Sequence, residues 1–139
     1  MIAQWPTDLP LPERDTWQKR PQEARRKSQS DAGPPSYRRR FTSVPRLVSL
    51  SVLLNRDQRA VFEHFFQHDC AEGARLFRMP DPTTDGRDLL SSDGFDLLAG
   101  AGAQLLLGAI WLCAWGDALP AETLVGSEFR QSFDVVVMP

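Results

Sequence analysis

Apolar and polar positions alternate most cleanly from Leu47 to Leu54. Val48, Leu50, Val52 and Leu54 fall on one side and Ser49 and Ser51 on the other, which predicts a half-buried strand. Phe129–Met138 repeats the pattern, with Phe129, Gln131, Phe133, Val135 and Val137 on one face and Arg130, Ser132 and Asp134 opposite. Between these runs the period changes. From Arg56 to about His68, Val61, Phe62, Phe65 and Phe66 recur at steps of three and four and form one helical stripe. Asn55 stands where a helix N-cap is needed, and Asp57 in the first turn suits the helix dipole. Gly73 ends this region, and Arg75–Met79 is a short strand candidate. Arg38–Val44 alternates weakly and is cut by Pro45, as at an edge or bulge. Leu105–Trp115 adds a further apolar strand candidate.

After the proline-rich loop 79–86 an octad repeats. Asp85-Gly86-Arg87-Asp88-Leu89-Leu90 is followed by Asp93-Gly94-Phe95-Asp96-Leu97-Leu98 and by a degenerate Ala101-Gly102-Ala103-Gln104-Leu105-Leu106. Asp-Gly between short apolar runs predicts tight type I′ hairpin turns, whose central positions both need positive φ. These elements predict a mainly β fold: an antiparallel β-sandwich or small barrel with one flanking α-helix. Phe62, Phe65, Phe66 and Trp111 are the expected core.

Composition divides the chain. At 42% hydrophobic and 24% charged, its 139 residues can build one core. Residues 1–40 hold nine basic side chains against five acidic ones, a net of +4, which leaves −6 for the remainder of a chain whose total is −2. They also hold six of the eleven prolines and almost no aliphatic periodicity. The expected division is therefore an extended N-terminal arm, 1–37, and a β-rich domain, 38–139, with an inserted hairpin region at about 85–118. The arm has two readings. One is a solvated tail. The other is an arm that orders on a neighbouring copy, with Trp5 and Trp17 as aromatic anchors and Arg38, Arg39, Arg40 and Phe41 at the same interface. A basic arm and an acidic body in one chain suit head-to-tail self-association.

Cys70 and Cys113 are far apart and fit two buried free thiols better than a disulfide. Trp5-Pro6 and Leu9-Pro10-Leu11-Pro12 interrupt any signal-peptide pattern, so a reducing, cytoplasmic origin is expected. His64 and His68 have metal-ligand spacing, but Glu63 precedes them both and they read as solvated. The octad resembles calcium-binding β-roll repeats without sharing their nine-residue period. Leu97–Trp115 has the length of a membrane span, but Gly100, Gly102, Gly108 and Gln104 thin it, so buried strands are expected and stable membrane insertion is not. Arg38-Arg39-Arg40 is too short a run to expect nucleic-acid binding. No nucleophile–base set, phosphate loop or cofactor motif is present in the sequence, so no enzyme, cofactor or metal is expected.

Trp5-Pro6, Leu9-Pro10, Asp31-Ala32-Gly33-Pro34, Arg38-Arg39-Arg40-Phe41-Thr42, Phe62–Phe66, Gly73–Phe77 and the terminal Val135-Val136-Val137-Met138-Pro139 occur in this order. In this the chain resembles a family of small phage and prophage proteins encoded among tail genes. The likeness spans nearly the whole chain, except that the octad repeat and Leu105–Ala118 look inserted relative to compact members. The resemblance implies a virion component of a long tail, a minor or distal tail protein. Such proteins form homo-oligomeric rings, often sixfold, between tail tube and tail tip, assembled in the host cytoplasm and contacting other tail proteins. A head–tail joining protein (a tail terminator or neck ring) is the alternative, and a holin-like membrane protein a more distant one.

Overall fold

The computed structural model of the chain describes residues 2–87, 90–95, 97, 98, 100, 102, 105, 106 and 108–139. Strand β1 (Ala3–Gln4) is followed by β2 (Gln18–Pro21), β3 (Arg25–Ser28), β4 (Ser36–Arg39) and β5 (Arg46–Leu54). Helix α1 (Arg56–His64) comes next, then β6 (Phe77–Pro80), β7 (Ile110–Trp115), β8 (Ala121–Val125) and β9 (Glu128–Val137). The fold is mainly β with one flanking helix, as the alternation predicts. Among the described residues seven strands form one mixed sheet in the order β1-β6-β7-β9-β5-β2, with β8 beside the first half of β9. β1 runs parallel to β6 and the other pairs are antiparallel; the sheet does not close into a barrel.

The long central pair explains itself locally. β5 and β9 pair in register from Arg46↔Val137 to Leu54↔Phe129, which puts Val48 beside Val135 and Leu50 beside Phe133 on one face. These four side chains are buried. Cys113, Trp115 and Phe77 extend the same face across β7 and β6.

Helix α1 starts where expected. Asn55 Oδ1 accepts the Gln58 N–H at 2.9 Å, and Gln58 Oε1 accepts the Asn55 N–H at 3.1 Å, a reciprocal capping box. The helix then widens into a π turn over Phe65–Asp69, where the Cys70 N–H reaches back to the Phe65 carbonyl. The chain leaves through Ala71, Glu72 and Gly73, all at positive φ. At Gly73 a side chain would also meet the Phe66 ring at 3.3 Å.

The leader folds onto its own body, which corrects the division expected at residue 37. Trp5 donates its N–H to Arg78 O on β6, and Glu13 donates its N–H to Ser51 O on β5, both at 2.8 Å. Residues 5–13 therefore bridge two strands on opposite sides of the sheet. Trp5 and Leu9 drop into the core on the way. The Trp5 ring lies 5.6–6.1 Å, centroid to centroid, from Phe62, Phe65, Phe77 and Phe133. Trp115 completes this aromatic cluster against Phe66, Phe77 and Phe133 at 4.9–5.1 Å. Isolated aromatics separated by prolines carry no period, so the pattern gave no sign of them.

Residues 13–16 then lie over the far face of β5. Ser51, expected to face solvent, is fully buried and hydrogen-bonds the Thr16 hydroxyl. Arg130 pairs with Glu13 at 2.9 Å on the same side. Trp17 stacks on Trp111 at 5.9 Å, with the Lys19 ammonium 5.4 Å from the Trp111 ring. Trp111 is thus a partly buried flank of the core rather than its centre.

The octad hairpin expected at about 85–118 includes Asp88, Leu89, Asp96, Ala99, Ala101, Ala103, Gln104 and Leu107, which lie outside the described residues. Gly86, Gly94 and Gly102 share a positive φ of 78–86°. Asp85 and Asp93 do not share it, so the first two turns are not type I′. The weak strand expected at Arg38–Val44 is shifted to Ser36–Arg39.

Candidate functional site

Residues 23–40 form a hairpin of their own. Among the described residues β3 and β4 pair only with each other, from Arg25↔Arg39 to Ser28↔Ser36, around a loop that turns through Gly33 at φ +99° and Pro34-Pro35. Every residue of both strands is exposed. A lone two-stranded ribbon without an apolar face gains little from burial and is marginal in water.

Its charges add to that instability. Arg25 lies directly opposite Arg39, and Arg26 opposite Arg38. Like charges in facing positions disfavour pairing. One cation is neutralised: Glu23 accepts from the Arg25 side chain at 2.9 and 3.0 Å and from its backbone N–H. The Arg25 hydrogen bonds hold the Glu23 carboxyl down at about 2. The Arg25 guanidinium also lies 4.4 Å from the Tyr37 ring centre. Arg26, Lys27, Arg38, Arg39 and Arg40 form no ion pair among the described residues.

The hairpin holds six basic and two acidic residues, a net of +4, so the rest of the chain carries −2 − 4 = −6. Residues 1–22 contribute nothing to this imbalance, with three basic and three acidic side chains. The basic character expected of the whole arm thus resides in the hairpin.

Of the residues expected at an interface, Arg38, Arg39, Arg40 and Phe41 stand exposed together on or just after β4. Trp5 and Trp17 do not join them. Trp5 is buried in its own core and Trp17 is stacked on its own Trp111. The other half of the ribbon, Arg25–Lys27, is not among the residues expected at the interface. Arg25-Arg26-Lys27 and Arg38-Arg39-Arg40 flank a Gly-Pro-Pro turn, and that symmetry was the available signal.

The other chemical candidates are placed as follows. His64 and His68 are exposed, their rings 4.7 Å apart, and no group of three or more metal-ligating side chains occurs among the described residues. No helix among the described residues is long and apolar enough to cross a membrane. A cleft of about 450 Å³ between the leader and β6 is walled by Leu9, Leu11, Pro12, Met79 and Ile110.

Cys70 and Cys113 are free and buried, as expected. Burial raises both thiols, Cys113 to about 12. Reactivity requires thiolate. Neither thiol is therefore expected to react with an aqueous disulfide reagent at about pH 8 until the protein unfolds, when both should titrate together. A stoichiometric reaction of one thiol in the folded protein would contradict its burial.

Neither a protein-family model nor any curated protein sequence matches this chain.

Proposed function

We propose that the chain is a structural subunit of a bacteriophage long tail, a minor or distal tail protein that assembles head to tail into a homo-oligomeric ring between tail tube and tail tip. One observation supports self-assembly above the rest. A basic hairpin of net +4, both of its strands exposed, and a remainder of net −6 occur within one polypeptide. Facing arginines make that hairpin unfavourable alone and favourable against an acidic surface. A heterologous contact repeated around a closed circle gives a ring. The resemblance to tail-gene proteins supplies the setting. The exposed Leu90, Phe95, Leu98 and Leu106 of the octad region would face another tail protein.

The leader packs onto its own body, and the hairpin is what joins copies. Association of this kind is electrostatic and should weaken with salt. Sedimentation velocity of the purified chain is expected to show oligomers at about 0.1 M salt that dissociate toward about 1 M, as the screening length falls from about 10 Å to about 3 Å. A monomer at every salt and protein concentration would defeat the proposal. The setting has its own test: antibody against the chain should label the distal end of intact tails, and labelling of the neck would move the ring to the head–tail junction.

A further inference from the structure

β8 is the second feature of the body that lacks a partner. It pairs with β9 from Ala121↔Ser132 to Val125↔Glu128 and, among the described residues, has no strand on its other side. The closing pair Val125↔Glu128 flanks the two-residue turn Gly126-Ser127, with Gly126 at φ +61° as in a type II′ turn. A pair that closes such a turn is hydrogen-bonded. Ala121, Thr123 and Val125 therefore turn their backbone groups toward β9, while Glu122 and Leu124 turn theirs outward.

The whole strand is exposed, with Leu124 at 73% and the preceding Leu119 at 57%. No lysine, bulge or internal proline protects this edge. Residues 116–128 hold Asp117, Glu122 and Glu128 and no basic residue. Arg59 engages Glu122, and Asp117 and Glu128 form no ion pair among the described residues.

The hairpin is complementary on each count. It is cationic, its strands are four residues long against the five of β8, and each has one free edge. Of its two strands, β4 carries the exposed Tyr37, with the exposed Phe41 two residues past its end, while β3 is Arg-Arg-Lys-Ser.

Resting on the self-assembly proposed above, we infer that the free edge of β4 in one copy pairs with the free edge of β8 in the next. The shared sheet then runs on through β3. Main-chain hydrogen bonds satisfy the outward groups of Glu122 and Leu124, Tyr37 covers Leu124, and the arginines face Asp117 and Glu128.

Two variants and a cross-link test this. Leu124→Pro removes an outward donor without touching the bonds to β9 and should weaken association by about tenfold or more. Leu124→Lys, which keeps the donor but places a cation before the hairpin, should weaken it too. In an equimolar mixture, Leu124→Cys in one sample and Cys scanned through residues 36–40 in the other should give an intermolecular disulfide at one register under mild oxidation. The buried native thiols stay out of this reaction.

Parental association by both Leu124 variants with no cross-link would overturn the edge pairing. If a hairpin stripped of its arginines were then still monomeric, the self-assembly proposal would stand without it. If that hairpin variant also associated normally, both would fall. Failure to cross-link together with a hairpin-dependent gel shift of duplex DNA would assign the hairpin to nucleic acid and likewise overturn the edge pairing.

Discussion

Trp5→Ala is expected to destabilise the isolated monomer by about 3–5 kcal/mol, the range for truncating a large buried aromatic. The indole is 8% exposed and touches four other aromatic rings, two from the helical segment and two from the sheet. The surrounding rings come from separate elements and cannot collapse together into the space. At this chain length the melting temperature should fall by about 10 °C or more. The measurement belongs at high salt and low concentration, where copies are apart. A leader that ordered only on a sister copy would leave the monomer's melting temperature unchanged after this substitution. A leader in its own core makes the loss independent of concentration. The same reasoning extends to Leu9, whose burial beside Trp5 depends on the bridge between Arg78 and Ser51.

The second large effect is on assembly rather than folding. Replacing Arg26, Arg38, Arg39 and Arg40 together by Ser should weaken association by about a hundredfold or more, the sum of four modest charge contacts. Folding should be unaffected, because these side chains are exposed and bear on no core group. The substitution also removes the facing pair Arg26↔Arg38 while leaving Arg25 with Glu23 and Tyr37. Sedimentation velocity at low salt reads the result. A variant that assembled as well as the parent would take the hairpin out of the interface.

The contrast between these two predictions follows from where sequence carries information. β5, α1 and β9 were legible because their burial is periodic, at two residues for the strands and three to four for the helix. The leader was not. Trp5, Leu9 and Trp17 are buried or stacked singly, at spacings that match neither period and among prolines that resemble a linker. Their partners are distant in the chain, so no local window contains the reason for their burial. Ser51 is buried for the same non-local cause, a segment 35 residues away lying across it. β8 escaped because its exposed Leu124 and Val125 do not alternate with buried residues, although Gly126-Ser127 marked the turn that follows.

The candidate site divides along the same line. Arg38–Arg40 was visible as a charge run, and its exposure follows from composition. That Arg25–Lys27 lies across from it is a pairing fact, set by the turn through Gly33, Pro34 and Pro35. The assignment of Trp5 and Trp17 to the same interface rested on residue type alone. Large aromatics anchor cores as readily as they anchor partners, and here Trp5 lies in its own core and Trp17 against its own Trp111.

The most direct test is a reconstruction of the assembled oligomer at side-chain resolution. The expected map places Trp5 among Phe62, Phe65, Phe77 and Phe133 of the same copy and the 25–39 hairpin on the body of its neighbour. A map with the tryptophan seated in a neighbouring copy, or with the hairpin touching no other subunit, would contradict it.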